Sequence, residues 1–137
     1  MLQAMNTGHE GSMTTIHANS PRDSISRLEQ MIGMSGIDIP ERSSRSQISS
    51  AINIVVQISR LLDGKRRLIS VSEITGMEGE VIQLQEIFRF KKTGVAEDGA
   101  VEGHFEATGI LPRFLDVASA YGVNLSSDIF RPDRKFT

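Results

Sequence analysis

The sequence predicts a mixed α/β unit: a short strand, two helices, an antiparallel three-strand meander and a closing helix. Three observations predict it. A helix-start signature, Ser20-Pro21-Arg22-Asp23, follows directly on a β-branched run. Three alternating runs succeed one another between Asn53 and Lys92, separated by turn residues. Apolar residues then return at helical spacing after Pro112. With 137 residues, 39% of them apolar and 23% charged, the chain is long enough to bury the core of one domain.

Each element has its own warrant. The opening MLQAMNTGH reads as the last turns of a helix, with Leu2 and Met5 three apart and Gly8 placed to end it. A helix present by its tail alone suggests a chain cut just upstream of Met1 or Leu2, so a piece of a longer polypeptide is expected. Ser12–Ala18 has the β-branched density of a short strand, with Met13, Thr15 and His17 on one face. Ser20 is then placed as an N-cap, Pro21 as first helical residue and Asp23 as first-turn acid, three residues after the cap. Ile25, Leu28, Met31 and Ile32 continue at helical spacing, and Gly33 and Gly36 are placed to stop the helix.

A second helix follows Pro40, its stripe formed by Ile48, Ala51, Ile52 and Val55 among five serines that are indifferent helix formers. INIVVQISRLL and RRLISVSEIT are strand-like runs joined by Asp63-Gly64-Lys65, where glycine takes positive φ without a Cβ clash. GMEGE, Gly76 to Glu80, reads as the next turn, and the run after it puts Ile82, Leu84, Phe88 and Phe90 on one face. The glycine-rich stretch from Thr93 to Gly109 reads as a hairpin or a mobile loop. The closing helix would turn Phe114, Val117, Ala118 and Tyr121 inward, and the tail 122–137 carries too few periodic signals to assign.

Composition narrows the function classes. A net charge of −2, with Arg and Lys dispersed, offers no footprint for a nucleic acid backbone. Zero cysteines exclude a disulfide framework and a thiolate zinc site. No run approaches the ~18 apolar residues of a membrane span, and no signal peptide opens the chain, so a cytoplasmic setting is expected. A phosphate-cradling P-loop is absent: Gly64-Lys65 is followed by Arg66, and Ser59 stands where the first glycine belongs. HEGSM lacks the second histidine of a zincin site, there is no G-x-S-x-G elbow, and the spacing of His9, His17 and His104 resembles no metal site.

The segment from His9 to His17 remains. A strand end could project Thr15 and His17 toward an anionic ligand, donating from hydroxyl and imidazole N–H groups to phosphate oxygens. Equally, the threonines could fill a strand, His17 could bond at a turn, and His9 could sit at a helix C-terminus where the dipole favours a cation. Spacing alone favours the second of these readings.

LQAMNTGHEGSMTTIHANSPRDSISRLEQM, Leu2 to Met31, closely resembles the His box and following helix of bacterial secretion ATPases, above all the CpaF-like branch of Flp/Tad type IV pilus assembly and secretion. The similarity continues from Ile39 to Phe90 and returns in GHFEATGILPRF. The resemblance implies the C-terminal part of a RecA-like P-loop ATPase motor domain, hexameric in ring form, working with ATP and magnesium at the cytoplasmic side of the inner membrane beside pilus or secretion platform proteins. From charge and hydropathy, no nucleic acid partner and no direct membrane span are expected. The resemblance further implies that Thr7, Gly8, His9, Thr14, Thr15 and His17 match the His box near the nucleotide phosphates, and that Asn19 to Asp23 match the helix cap behind it. His17 is then the best candidate for a phosphate sensor or an orienter of the attacking water, and His9 for a structural or inter-domain role.

The family's P-loop, acidic box and Walker B strand would lie upstream of Met1, so no ATP hydrolysis, cofactor or metal is expected of these 137 residues alone. Arg22, Arg27, Arg45 and Arg60 could each reach a neighbouring subunit, though such residues are more often solvated or paired. Met31 and Met34 read as core filler. Apolar surface left uncovered predicts self-association. The rival reading is a non-catalytic interaction or oligomerisation module of a secretion or pilus system.

Overall fold

The structure, a computed structural model, describes residues 11–136. Helices α1 (Pro21–Met34) and α2 (Glu41–Ala51) precede strands β1 (Ile54–Arg60), β2 (Arg66–Glu78), β3 (Val81–Val95) and β4 (Val101–Ala107). Helix α3 (Phe114–Ala120), a 3-10 turn over Ser127–Phe130 and strand β5 (Lys135–Phe136) follow. The strands form one five-stranded sheet in the order β1-β2-β3-β4-β5, with β3–β4 and β4–β5 antiparallel. The α/β class, with paired helices before an antiparallel sheet and a helix after it, is as the sequence predicts. The chain divides into two compact units. One runs up to Val55 and includes Ile74–Leu84; the other holds Val56–Glu73 and the chain from Gln85 onward.

In the first unit, the start of α1 is built as its residues dictate. Ser20 is extended (φ −155°), and its Oγ accepts from the Asp23 N–H at 3.0 Å. The Asp23 carboxylate reaches back to the Asn19 N–H at 2.9 Å, a capping box displaced by one residue. Gly36, at φ 76°, provides the stop just beyond the Ser35 cap. The stripe of Ile25, Leu28 and Ile32 packs with Ile48 of α2, Ile74 of β2 and Ile82 of β3. Each fully buried isoleucine there is worth about 1.5–3 kcal/mol. The serines do not loosen α2, because Ser44, Ile48 and Ala51 are the residues it buries. Arg22 donates to the Ile82 carbonyl at 2.6 Å, tying α1 to β3, and Arg45 donates to Glu29 at 3.1 Å and the Glu80 carbonyl at 3.3 Å, tying α2 to α1 and to the β2–β3 turn.

The second unit is an aromatic core. Phe130 from the 3-10 turn, 2% exposed, meets Phe88 at 5.4 Å and Phe114 at 6.1 Å between ring centroids. Ile87, Val101 and Ala107 of this unit are buried as well. β5 pairs Phe136 with Phe105, so the tail that showed no periodicity is what closes this unit. Gly103 on β4 is fixed by packing: a Cβ there would run into the Lys91 carbonyl oxygen and the Phe90 ring.

Several expectations are corrected. Ser12–Ala18 forms no strand: residues 11–18 carry no regular structure, and Met13 is 95% exposed. β-Branched density raises strand propensity, but a strand exists only in a ladder, and none of the described strands pairs with this segment. GMEGE is mostly strand: β2 runs through Gly76 to Glu78, and the turn tightens to Gly79-Glu80, with Gly79 at φ 62°. The Thr93–Gly109 stretch takes the hairpin alternative, closed by Ala96 N–H to Ala100 O at 2.9 Å with Gly99 at φ 84°. Helix α3 buries none of its residues fully: Phe114 is half-buried against Phe130 and Ala118 half-buried, while Val117 and the adjoining Tyr121 are exposed. Met31 and Met34 are exposed too, so neither is core filler.

Candidate functional site

The candidate segment leads into the capped helix start described above. Behind it, the Ser24 N–H donates to the Ser20 carbonyl at 3.0 Å and the Ser24 Oγ to the Pro21 carbonyl at 2.6 Å, with Ser24 itself buried. Arg22 adds the tie to β3. The base of residues 11–19 is therefore fixed, while the segment itself stands toward solvent. Thr14, Thr15 and His17 are all exposed and lie close in sequence within a stretch of no regular structure. Thr7, Gly8 and His9, the other candidates, lie outside the described residues.

Chemically, two hydroxyls and an imidazole in one exposed stretch can donate to an anion such as a phosphate. These side chains fit a phosphate-contacting role. Among the described residues no group of three His, Cys, Asp or Glu could hold a metal ion. His104 is separate chemistry: its Nε2 lies 3.2 Å from Glu106 on β4. No helix among the described residues is long and apolar enough to cross a membrane.

The arginines resolve into structural and open ones. Arg22 and Arg45 are tied as above, Arg45 also lying 3.7 Å from Glu41, and the Arg60 Nε donates to the Gly64 carbonyl at 3.0 Å. Arg27 is exposed and, unlike the other three candidates, makes no hydrogen bond or ion pair among the described residues.

Sequence reasoning missed three carboxylates that organise the second unit. Glu73, 5% exposed, accepts from the backbone N–H groups of Arg113 at 2.9 Å and Phe114 at 2.8 Å, capping the start of α3 from β2. Asp63 lies 2.8 Å from the Arg67 guanidinium and accepts from the amides of Val101 at 2.9 Å and Lys65 at 3.1 Å. Arg67 foremost, with those amides, holds the Asp63 carboxyl well below the usual carboxylate range. Glu106 accepts from Arg89 at 2.9 Å, and Arg89 first, then His104, lowers its carboxyl. A lone acid flanked by alternating apolar residues, as Glu73 is in SVSEITG, was the one sequence signal available.

Residues 1–110 match the family described as Type II/IV secretion system protein. A protein of Mycobacterium tuberculosis (strain ATCC 25618 / H37Rv), whose name assigns it to conjugal transfer, is 35% identical over 81 residues, 59% of this chain and 22% of that protein. The conjugal transfer protein TrbB of Rhizobium radiobacter is 34% identical over 79 residues, 58% of this chain and 22% of its own length. The matched stretch thus spans about a fifth of these curated relatives. A family match over most of the chain, joined to an α/β architecture consistent with part of a RecA-like domain, gives the assignment: the chain belongs to the type II/IV secretion system protein family.

Proposed function

We propose that this chain is the His-box-bearing part of an ATP-hydrolysing motor that powers type II/IV secretion, Flp/Tad pilus assembly of the CpaF-like kind in the first instance. The family match over residues 1–110 is the observation that carries the reading. The exposed Thr14, Thr15 and His17 ahead of a fixed helix start support it, since they could contact nucleotide phosphates while the helix relays the contact into the core. In this reading Thr7, Gly8 and His9 complete the segment. His17 senses the terminal phosphate or orients the attacking water.

ATP and magnesium would be held by a P-loop and acidic residues of a longer parent polypeptide. The bound magnesium would neutralise developing phosphate charge. The parent would form a hexameric ring at the cytoplasmic face of the inner membrane, docked on platform proteins. These 137 residues alone would not hydrolyse ATP. The names of the relatives widen the range of systems to conjugal transfer.

The test compares the full-length protein with residues 1–137 in a phosphate-release assay. The reading expects hydrolysis by the first and none by the second. A full-length protein that neither hydrolyses nor binds ATP would leave a non-catalytic oligomerisation module in its place.

A further inference from the structure

We propose that a cleft over β2, β3 and β4 in the second unit binds an extended acidic peptide of a partner protein. The cleft, of about 580 Å³, is shallow and lies within that unit alone, lined by Arg66, Arg67, Phe90, Gly103 and Phe105 among others. Its floor is aromatic: Phe90 and Phe105 meet at 5.3 Å between ring centroids, and their cross-strand pairing sets both on one face. Lys92, paired with Gly103, shares that face. The Arg67 guanidinium stands 5.9 Å from the centre of the Phe90 ring and 2.8 Å from Asp63, which matches its charge. Arg66 and Lys92 are exposed, and neither makes a hydrogen bond or ion pair among the described residues. Glu102 also lines the cleft, but its carboxylate lies beside Gly94, 3.8 Å from where a Cβ would stand. The rim therefore presents two unmatched cations above an apolar floor.

The backbone of β4 supplies a second, independent handle. The Thr108 N–H donates to the Ile87 carbonyl at 2.9 Å, and the Ala100 carbonyl accepts from the Ala96 N–H at 2.9 Å, so even-numbered residues turn to β3. The register shift between Lys92 and Gly94 falls on β3, and β4 alternates unbroken. Odd-numbered residues of β4 therefore turn outward. Phe105 meets β5 there. The outward groups of Val101 are taken by side chains: Asp63 accepts from its N–H at 2.9 Å, and Arg67 donates to its carbonyl at 3.4 Å. Gly103, between them, is exposed and has no outward partner among the described residues. Lacking a side chain, it lets another backbone approach closely. A peptide strand lying against Gly103 exchanges both ladder hydrogen bonds with it and turns alternate side chains onto the Phe90 and Phe105 rings. Carboxylates on that strand meet Arg66 and Lys92. A free phosphate or a lipid headgroup would use the two cations but neither the rings nor the open edge, and this favours a peptide.

The lane is short, closed by β5 on one side and by Asp63 and Arg67 on the other, so binding is weak and salt-sensitive. The experiment titrates the isotope-labelled 137-residue chain, followed by NMR, with an acetylated peptide that alternates glutamate with valine and phenylalanine. The expected result is saturable shifts of the Gly103 amide and of the Phe90 and Phe105 rings, with slower exchange of that amide. The counterpart with glutamine for glutamate should bind roughly fivefold more weakly, the most that an exposed ion pair contributes. A counterpart N-methylated along its backbone should lose the Gly103 protection. Arg66→Glu changes an exposed side chain and should keep the circular dichroism of the parent while binding roughly fivefold more weakly or worse. If that variant does not fold, the glutamine and N-methylated peptides on the unaltered chain decide. The absence of a saturable shift at millimolar peptide overturns the proposal. So do shifts that miss Gly103, equal binding of the glutamine peptide, or binding that the full-length protein lacks. Phosphatidylglycerol vesicles or an oligonucleotide binding this surface when the peptide does not would overturn it too.

Discussion

Replacing Ile48 by alanine removes the fully buried centre of the first unit's core, where α2 meets α1, β2 and β3. Three carbons leave an apolar environment, a loss of about 2.4 kcal/mol at ~0.8 kcal/mol per buried methylene. A residual hole of roughly 50 Å³ adds about 1 kcal/mol, at ~24 cal/mol per Å³. Leu28 and Ile32 border the site and are only partly buried, so they can close on it in part. The expected loss is about 3 kcal/mol, read by urea denaturation followed by far-UV circular dichroism, with an unchanged m-value. Ile48→Val should cost about 0.5–1.5 kcal/mol by the same measurement. Ile58→Ala, at a site 59% exposed, should fall within about 0.5 kcal/mol of the parent at concentrations that keep the chain monomeric. A loss under about 1 kcal/mol for Ile48→Ala would refute the packing described for this unit.

Asp63 and Arg67 should make the second unit acid-sensitive. A carboxyl lowered in the folded state contributes stability above its unfolded pKa of about 3.9 and loses it as pH falls toward the folded value. The stability deficit of Asp63→Asn, read as a denaturation midpoint, should therefore be constant from about pH 7 to 5 and shrink below about pH 4. Glu73→Ala orphans the amides of Arg113 and Phe114 and should cost about 1–3 kcal/mol; Glu73→Gln, which keeps one acceptor, should cost less. Gly103→Ala should cost about 1–3 kcal/mol by overpacking against Phe90 and the Lys91 carbonyl, and should shift the Phe90 ring resonances.

What could be read ahead of the structure was what local chemistry decides. The α1 start was legible because Ser20, Pro21 and Asp23 satisfy the first amides from within the segment. β1 and β2 were legible because their alternation brackets a turn at Gly64, which adopts φ 78°. What failed depends on partners far along the chain. Ser12–Ala18 has strand composition but no ladder within the described sheet. β4 was obscured by glycines, and Gly103 is there for a ring two strand positions away, which no local pattern announces. Phe130 and Phe136 looked like isolated aromatics in a tail, yet both meet Phe88, 42 and 48 positions earlier in the numbering. At the site, the helix cap behind His17 was foreseeable, whereas the exposure of Thr14, Thr15 and His17 was not, because the expected strand would have buried one face of them.

The role assigned to His17 is tested most directly by His17→Ala in the full-length protein, measuring ATP turnover and nucleotide affinity separately. The account predicts that turnover falls by roughly tenfold or more, as when one polar group acting on transition-state charge is removed, while affinity changes little. Turnover equal to that of the unaltered protein, with His17 gone, would contradict it.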